Sequence, residues 1–388
     1  MSEQKDFSIK SISLYKVPPR WLFLKITLNN GLSGWGEPVV EGRADTVKAA
    51  VEELSGYLIG QDARRIEDIW QVLYRGGFYR GGPVLMSAIS GIDQALWDIR
   101  GKALGVPVYE LLGGPVRDKM KIYSWIGGDR PENVAEAARA RVAAGFKAVK
   151  MNASSDMEWI DTPKKVSEII DRAMVVREAV GDDVGIGLDF HGRIHRGMAK
   201  VIMKELEPVK PMFIEEPVLS ENNESLKVLQ QMTSAPIATG ERMFSRWDFK
   251  RLFEDRSVDI VQPDLSHAGG ISEVRRIATM AEAYDVAVAP HCPLGPVSFA
   301  AALHLDFVSI NAFIQETSMG IHYNGEIDLI DYVKNPEALR VDEGYIHLLD
   351  KPGLGLEIDE EKVVEMAKTG HDWKNPIWRN ADGSFAEW

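Results

Sequence analysis

From residue 116 onward, the chain alternates short apolar runs with helix-periodic segments, and this alternation restricts the fold more than any other feature. Segments such as residues 132–144, 166–180 and 272–284 have helical periodicity and separate most of the runs. Strand and helix repeated eight times predict a parallel α/β barrel whose strand ends form the catalytic face. The eight runs end at Gly127, Asn152, Asp189, Glu215, Glu241, Asp264, His291 and Glu316.

The first 115 residues have a different organisation. Apolar residues mostly alternate over residues 7–36, with a hairpin signal at Asn29-Asn30-Gly31. Helical patterns then extend from Thr46 to Leu112, and Gly113-Gly114-Pro115 is a clear boundary signal. We therefore predict an α+β domain over residues 1–115, a barrel over 116–350 and a tail over 351–388 that packs on the first domain.

Composition excludes several functional classes. A net charge of −13 argues against binding to nucleic acid or to an anionic membrane surface. The single cysteine, Cys292, excludes an internal disulfide and is typical of a reducing compartment. Residues 1–10 lack the apolar core of a signal peptide, and no apolar stretch is long enough to span a membrane. We expect a cytoplasmic protein.

Three acids follow apolar runs at equal intervals. In sequence, 26 residues separate Asp189 from Glu215 and Glu215 from Glu241, about one barrel repeat. One such acid is more often a helix N-cap or a surface charge, but three at equal spacing indicate neighbouring strand ends around a cation. Carboxylates without cysteine favour Mg²⁺. Glu215 is preferred over Glu216 as the ligand because Pro217 favours an extended backbone before it.

Histidines accompany these acids. His191 follows Asp189 by two residues, so we predict that both project from one strand face and that His191 is a general acid or base. His195 is a competitor, but its polar loop predicts a solvent-facing side chain. A zinc hydrolase would need several histidine ligands, which this region lacks.

A second pair lies one barrel repeat apart on the following strands. Asp264 and His291 are separated by 27 residues, and a carboxylate on one imidazole nitrogen raises basicity at the other. A lone histidine is more often a core or surface residue, yet the strand-end placement favours a dyad here. Cys292 as a nucleophile is disfavoured because it points away from the face of His291. Glu316 closes the ring on the eighth strand, and Lys150 stands at the end of the second.

The chain resembles the mandelate racemase subgroup of the enolase superfamily over essentially its whole length. The acid triad alone is typical of the superfamily, whereas the motifs around it are more specific. They are Arg20-Trp21, Gly-Phe-Tyr-Arg-Gly-Gly-Pro at 77–83, Leu-Asp-Phe-His-Gly-Arg at 188–193, Gln-Pro-Asp-Leu-Ser-His-Ala-Gly-Gly at 262–270, Ala-Pro-His-Cys-Pro-Leu-Gly-Pro at 289–296, Ser-Met-Gly-Ile-His-Tyr-Asn at 318–324, Trp378-Arg379 and Ala386-Glu387-Trp388.

The resemblance implies a modified (β/α)7β barrel capped by the N-terminal α+β domain. The closer match is to members that dehydrate D-galactonate, which implies a hydro-lyase that forms 2-dehydro-3-deoxy-D-galactonate through a metal-stabilised enediolate. A dehydratase or epimerase of another sugar acid, a metal-dependent hydrolase and a non-catalytic binding protein are the alternatives. We also expect a small-molecule sugar-acid substrate and a homo-oligomer.

The resemblance also implies roles for individual residues. It implies one Mg²⁺ per subunit on Asp189, Glu215 and Glu241. His291 is expected to accept the proton with its basicity raised by Asp264, His191 to donate one, and Glu316, protonated, to stabilise the transition state. Lys150, Asn152, Arg20 and Trp21 are expected to bind substrate, with the loop at residues 41–43. Asn152 stands where many relatives carry the second lysine of Lys-x-Lys, a base that 1,1-proton transfer needs.

Overall fold

The computed structural model describes residues 6–127, 133–321 and 326–387. Parts of the sequence-based predictions lie outside these ranges: Glu132 at the start of a predicted helix, His322-Tyr323-Asn324 of one motif, and Trp388. In the described part, no helix is both long enough and apolar enough to cross a membrane.

An antiparallel sheet of three strands opens the fold. It consists of β1 (Ile9–Val17), β2 (Trp21–Leu28) and β3 (Ser33–Gly36). The predicted hairpin joins β2 to β3, and Gly31 takes a φ of 84° there, a conformation that glycine adopts without steric cost. Four helices follow, α1 (Ala44–Leu54), α2 (Ile66–Arg75), α3 (Pro83–Leu104) and α4 (Val108–Leu111).

Helix α3 packs directly on strand β3. Pro83 begins the helix, and Gly105 follows its end with a φ of 73°. The backbone of Gly36 lies so close to Gly91 that a Cβ on Gly36 would stand 1.8 Å from the Gly91 carbonyl oxygen. Two glycines thus allow the sheet and this long, largely buried helix to approach closely.

The barrel has eight parallel strands among the described residues, in the order β10-β9-β8-β7-β6-β5-β4-β11. A parallel bridge between Val288 and Ala312 closes the ring between the two ends of this order. The predicted α/β barrel fold is confirmed. The strands are β4 (Lys119–Trp125), β5 (Ala148–Asn152), β6 (Gly185–Asp189), β7 (Phe213–Glu215), β8 (Ile237–Thr239), β9 (Ile260–Val261), β10 (Ala287–Val288) and β11 (Gln315–Thr317).

One described helix lies between each pair of consecutive barrel strands, which is the (β/α)7β arrangement. Short 3-10 turns, such as Glu207–Val209 and Ser220–Ser225, supplement them. The helices are α5 (Val134–Ala143), α6 (Pro163–Val180), α7 (Arg196–Glu205), α8 (Leu226–Leu229), α9 (Arg246–Asp255), α10 (Gly270–Ala283) and α11 (Pro296–Val308).

The barrel interior is filled by large and small side chains contributed by different strands. Tyr123 and Phe213 lie in edge contact, with ring centroids 6.0 Å apart. A Cβ on Gly187 would stand 2.7 Å from the Phe213 ring, so the glycine leaves room for that ring. The interior is therefore a packed core, and the catalytic face must lie at the strand ends. The buried cluster comprises Tyr123, Ala148, Phe213, Ala238, Ile260, Ala289 and Ile314.

After β11 the chain continues into β12 (Tyr345–His347), which pairs antiparallel with β4, and α12 (Glu360–Thr369). A small hairpin, β13 (Trp378–Arg379) and β14 (Phe385–Ala386), ends the described chain. Helix α12 packs against β1, where Lys25 of the neighbouring strand pairs with Glu360 at 2.6 Å. Trp378 lies on the barrel residue Arg193, so the tail contacts both parts of the molecule.

Candidate active site

Parallel pairing brings the first two predicted metal ligands side by side. Asp189 and Glu215 end neighbouring strands β6 and β7 and are direct partners in the register. Glu241 lies two residues beyond β8, after Gly240, whose φ is 145°. Strand β8 thus ends two residues before Glu241, where the sequence-based prediction had placed its end. Strands β9 and β10 likewise end before Asp264 and His291. Glu241 stands on a turn, whereas Asp264 and His291 lie in irregular segments.

Asp189, His191 and Glu241 form a group that could hold a metal ion. Each offers one ligand atom, and these atoms lie within 4.8 Å of one another. Burial and the charge of Glu215 raise the pKa of Asp189, while burial and the charge of Glu216 raise the pKa of Glu241 to about 7. A divalent cation would offset both effects, so the buried oxygen donors fit such an ion.

Glu215 is engaged by other partners. Lys150 Nζ lies 2.8 and 3.0 Å from its two carboxylate oxygens, and Gln262 Nε2 donates to it at 2.7 Å. Glu215 is the register partner of Asp189, but it does not belong to the group formed by Asp189, His191 and Glu241. Glu216 is turned to Arg242, whose guanidinium it binds through both oxygens. Its φ of 42° shows that the extended backbone predicted before Pro217 was wrong.

Lys150 also pairs with Glu316, with Nζ 2.9 Å from Oε1, and it lies 4.0 Å from Asp189. Burial lowers the pKa of Lys150, but Glu215 and Glu316 outweigh it and hold that pKa well above its usual value. Burial raises the pKa of Glu316, yet Lys150 and His291 lower it overall. The buried ammonium beside the carboxylate favours an ionised Glu316, in contrast to the protonated form that the predicted role assumes.

The predicted dyad has hydrogen-bonding geometry. His291 Nδ1 lies 2.8 Å from Asp264 Oδ2, and its Nε2 lies 3.0 Å from Glu241 Oε2. Burial lowers the pKa of His291, but the charges of Glu241 and Asp264 raise it well above its usual value. The neighbouring Cys292 is buried and turned to Ser298, and its N–H donates to Glu316 at 3.0 Å.

His191 reaches the same carboxylate from a turn. Its Nε2 lies 3.8 Å from Glu241 Oε1, on the carboxylate that His291 also contacts. The strand ends at Asp189, and His191 has a φ of 54°, so the prediction of a shared strand face was wrong. Asp189 Oδ1 instead accepts the backbone N–H of His191 at 2.6 Å, which ties the turn to the strand end. Burial and the charge of Arg193 lower the pKa of His191.

A cavity of about 640 Å³ opens above these residues. Asp264 and Glu215 lie behind its surface, where they contact the lining residues. Among the predicted residues, those that line it are Arg20, Glu41, Lys150, Asp189, His191, Glu241, His291 and Glu316.

Three predicted positions differ from expectation. Trp21 is buried between Phe23 and Tyr332 and does not line the cavity, because its strand turns it into the core of the N-terminal sheet. Asn152 is also fully buried and lies outside the cavity surface. His195 is half-buried rather than solvent-facing, since its ring stacks on Trp159 at 3.8 Å.

Other cavity residues were absent from the sequence-based site. His267 Nε2 lies 3.4 Å from Glu41 Oε2, and its Nδ1 lies 3.1 Å from Ser87 Oγ. It falls three residues after Asp264 inside a recognised motif, a signal that could have identified it. Trp373 and Asn375 of the tail also line the cavity, and Arg20 lies 5.0 Å from the Trp373 ring. No local pattern marks these two.

Family models account for most of the chain. The mandelate racemase/muconate lactonizing enzyme N-terminal domain matches residues 16–113, and the enolase C-terminal domain-like family matches residues 133–362. The chain therefore belongs to the mandelate racemase/muconate lactonizing enzyme group of the enolase superfamily, which confirms the sequence-based assignment.

Curated relatives extend over nearly the full length. The D-galactonate dehydratases of Pectobacterium atrosepticum and of Ralstonia pickettii are each 60% identical over 380 residues. Each alignment covers 98% of this chain and 100% of the relative. These relatives confirm the prediction of an enzyme of the hydro-lyase class.

Solved structures share the fold. An enolase from Agrobacterium radiobacter, with Na and L-malate bound, superposes with a TM-score of 0.89 at 33% identity and covers 98% of this chain and 100% of its own. A mandelate racemase/muconate lactonizing enzyme from Jannaschia sp. CCS1 gives a TM-score of 0.84 at 28% identity, covering 94% and 97%.

Proposed function

We propose that this protein is a Mg²⁺-dependent dehydratase that converts D-galactonate to 2-dehydro-3-deoxy-D-galactonate and water. One observation carries the proposal: two histidines in different electrostatic settings meet at the Glu241 carboxylate inside one cavity. His291 is held by a carboxylate, whereas His191 lies near guanidinium groups. Two histidines in one cavity can divide two proton transfers, and the family resemblance assigns the base to His291 and the acid to His191. The 60% identical relatives support the reaction and the substrate.

We infer that Asp189, Glu215 and Glu241 hold the Mg²⁺. The donors are carboxylate oxygens, which match a hard cation, and two of them already converge with His191. Glu215 would join from its place beside Asp189. When bound, the ion supplies positive charge that stabilises the substrate carboxylate as electron density moves into it.

The histidines then divide the proton transfers. His291 Nε2 accepts the C2 proton, and the electron pair of the broken C–H bond is delocalised into the substrate carboxylate. His191 gives a proton to the C3 hydroxyl, the C3–O bond breaks, and water leaves. The enol that remains tautomerises to the 2-keto-3-deoxy acid. Asp264, bonded to His291 Nδ1, fixes the tautomer that exposes Nε2 as the base.

Lys150 and Glu316 act together in this proposal. Glu316 and Glu215 hold the Lys150 ammonium at the cavity wall, where it places a fixed positive charge near the substrate carboxylate. Glu316 would thus stabilise the transition state by orienting the Lys150 ammonium, and it would not donate a hydrogen bond from a protonated carboxyl group. A buried ammonium between two carboxylates needs no reorganisation as negative charge develops.

The distal hydroxyls of the substrate would contact the far wall of the cavity. Arg20 and Glu41 lie there, 3.8 Å apart, beside Trp373 and Asn375 of the tail. We also propose that residues 1–115 form the cap, 116–350 the barrel and 351–388 a tail on the cap. The N-terminal family model, which ends at residue 113, supports the first of these boundaries. A homo-oligomer and a cytoplasmic location remain predictions.

A substrate screen tests the activity. Purified protein with Mg²⁺ is incubated with a panel of sugar acids, and formation of 2-keto-3-deoxy acids is measured. D-galactonate is expected to give the highest kcat/KM. Conversion of a different sugar acid with higher kcat/KM would replace the proposed substrate, and epimerisation without loss of water would replace the reaction.

Two variants test the division of roles. His191→Asn should lose dehydration by about 10²- to 10⁴-fold while it still exchanges the C2 proton with D₂O. His291→Asn should lose both, since exchange begins with proton removal at C2. His195→Asn is the matched control, because that ring packs on Trp159 outside the cavity. Loss of exchange with dehydration intact in His191→Asn would refute the assignment.

A further inference from the structure

Glu37 is a buried acid of the cap that the proposed mechanism leaves unused. It directly follows β3 and is 0% exposed. Its Oε1 accepts the backbone N–H of Gly295 at 2.6 Å, and its Oε2 accepts that of Ser298 at 3.0 Å. Helix α11 begins at Pro296, so both donors belong to its N-terminal turn, where N–H groups lack partners inside the helix. Glu37 thus caps a barrel helix from a distant part of the chain.

A glycine makes this contact possible. Gly295 is the N-cap residue of α11 and has no side chain with which to cap the helix. A Cβ at this position would stand 2.7 Å from Glu37 Oε1. The glycine therefore leaves room for the acid of the cap, which makes the hydrogen bonds that a local N-cap residue would otherwise make.

The loop before α11 carries the proposed base. Only residues 292–294 lie between His291 and Gly295. On the barrel side, the N–H of Cys292 donates to Glu316 at 3.0 Å. The loop is thus held by the barrel next to His291 and by the cap at Gly295. Because the connecting segment is so short, a shift of the first turn of α11 would move the backbone of the base.

Gln94 connects Glu37 with the other half of the dyad. This residue of α3 is buried, and its Oε1 accepts the backbone N–H of Glu37 at 2.8 Å. Its Nε2 donates to the carbonyl oxygen of Leu265 at 3.0 Å, directly after Asp264. Hydrogen bonds therefore connect the loop of His291 through the cap to the loop of Asp264. The bond of 2.8 Å between Asp264 and His291 closes this ring of contacts.

We propose that Glu37 and Gln94 are positioning residues by which the cap fixes the loop of His291 relative to that of Asp264. The inference rests on the proposed function for its consequence, since the geometry of the dyad governs proton removal at C2. The cap thus contributes to the first chemical step in addition to its contacts with the distal hydroxyls. A merely structural contact would change the folded fraction and leave the base of each folded molecule unaltered.

The single cysteine provides a reporter next to the base. Because Cys292 is the only cysteine of the chain, protein labelled with ¹⁵N-cysteine has one labelled backbone amide, whose hydrogen exchange is followed without substrate or metal. Glu37→Gln keeps the size of the side chain but replaces one acceptor oxygen by an NH₂ group. The Cys292 amide, which bonds to Glu316 rather than to Glu37, should then exchange at least about tenfold faster. An unchanged rate would overturn the proposal.

Asp98→Asn is the matched control. Asp98 is another buried acid of α3, and it accepts the backbone N–H groups of Trp35 and Leu354 at 3.0 and 2.9 Å, away from the dyad loops. This substitution should change Cys292 exchange, and kcat per folded molecule, by less than about threefold. An equal acceleration of Cys292 exchange in both variants would indicate a loss of global stability and overturn the proposal.

The reaction provides the second measurement. With D-galactonate and Mg²⁺ in D₂O, Glu37→Gln should lower kcat per folded molecule for C2 exchange and for dehydration by the same factor, at least about tenfold, because a displaced base slows the step that both share. KM should change by less than about threefold, since Glu37 does not line the cavity. A higher KM at unchanged kcat would contradict the positioning role, as would a fall of dehydration alone.

Gln94→Met, which has a similar shape but makes neither hydrogen bond, is the second variant. It should accelerate Cys292 exchange and slow both reactions in the same direction as Glu37→Gln, and it tests the proposal if that variant fails to fold. Wild-type behaviour of Gln94→Met in both measurements would overturn the connection through the cap. If the wild type neither exchanges nor dehydrates any sugar acid, the proposed function fails, while the Cys292 amide still decides whether the cap holds the loop of His291.

Discussion

The neighbours of Lys150 keep this buried side chain protonated. The side chain is 1% exposed, and its ammonium lies between the carboxylates of Glu215 and Glu316. Without it, two buried carboxylates would face each other in a medium that solvates them poorly. The same carboxylates keep the lysine charged despite its burial. Removal of Lys150 would leave two uncompensated buried carboxylates, whereas removal of either glutamate would leave a neutral pair.

His267 permits a prediction about pH and stability. Burial lowers its pKa, but Asp264 and Glu41 raise it overall to about 9. The folded protein therefore binds this proton more tightly than the unfolded chain, whose histidine pKa is about 6.5. The resulting stabilisation is complete below pH 6.5 and is lost as pH rises through 9. His267→Gln should remove a stabilisation on the order of 3 kcal/mol that has this pH dependence.

Denaturant unfolding of the wild type and of His267→Gln at several pH values measures this difference. Other buried acids, such as Glu37 with its pKa raised by burial to about 8, titrate in both proteins and cancel in the comparison. The difference in free energy of unfolding should narrow from pH 6 to pH 10. A difference that widens with pH would contradict the ion pair with Glu41 and Asp264.

At the level of elements, the N-terminal sheet and α3 are held together by close backbone approach. Gly36 and Gly91 meet at the crossing, and Pro38 lies 2.5 Å from the position that a Cβ on Gly91 would occupy. The contact is between backbones, so it cannot relax by rotation of a side chain. The cap loop that carries Glu41 follows directly after β3, and its position therefore depends on this crossing.

Gly36→Ala should destabilise the protein by at least about 1–3 kcal/mol, because the new methyl group would overlap the Gly91 carbonyl. Thermal or denaturant unfolding measures the loss. Gly56→Ala is the control: that glycine lies in a short 3-10 turn with open space around its Cβ position, and its φ is not positive. Equal effects of the two substitutions would show that the close approach is unimportant.

On the scale of the whole molecule, three separate parts of the chain enclose the cavity. The barrel supplies the acids and the two histidines, the cap supplies Arg20 and Glu41, and the tail supplies Trp373 and Asn375. The proposed metal ligands themselves come from three consecutive barrel strands or their loops. A ligand or ion bound there would connect elements that are distant in sequence, and its binding should stabilise the folded molecule.

Mg²⁺ should accordingly raise the melting temperature of metal-free protein. At a free concentration one hundred times the Kd, the expected stabilisation is about 2.7 kcal/mol. Glu241→Gln should lose this response, since it removes one carboxylate of the convergent group. Glu221→Gln is the control, because Glu221 lines the same cavity outside that group. An equal Mg²⁺ response in Glu241→Gln and wild type would argue against the proposed ion site.

Local sequence patterns determined the order of strands and helices and the chemistry of the strand ends. Alternation and helical periodicity are properties of consecutive residues, so the eight strands were predicted near their observed positions, and β5 ends at Asn152 as expected. Equal spacing identified Asp189, Glu215 and Glu241 because each barrel repeat has a similar length. Resemblance, rather than spacing, supplied the expected roles and the substrate.

Tertiary structure decided which of these groups are partners. Periodicity does not specify that Glu215 binds Lys150, that His191 stands on a turn, or that Trp21 is buried away from the cavity. Nor does any local pattern place Trp378 against Arg193, since such contacts arise only when the barrel has closed and the tail has packed on it. The charge of each buried group depends on those partners, because a low-dielectric interior makes the nearest charges dominant.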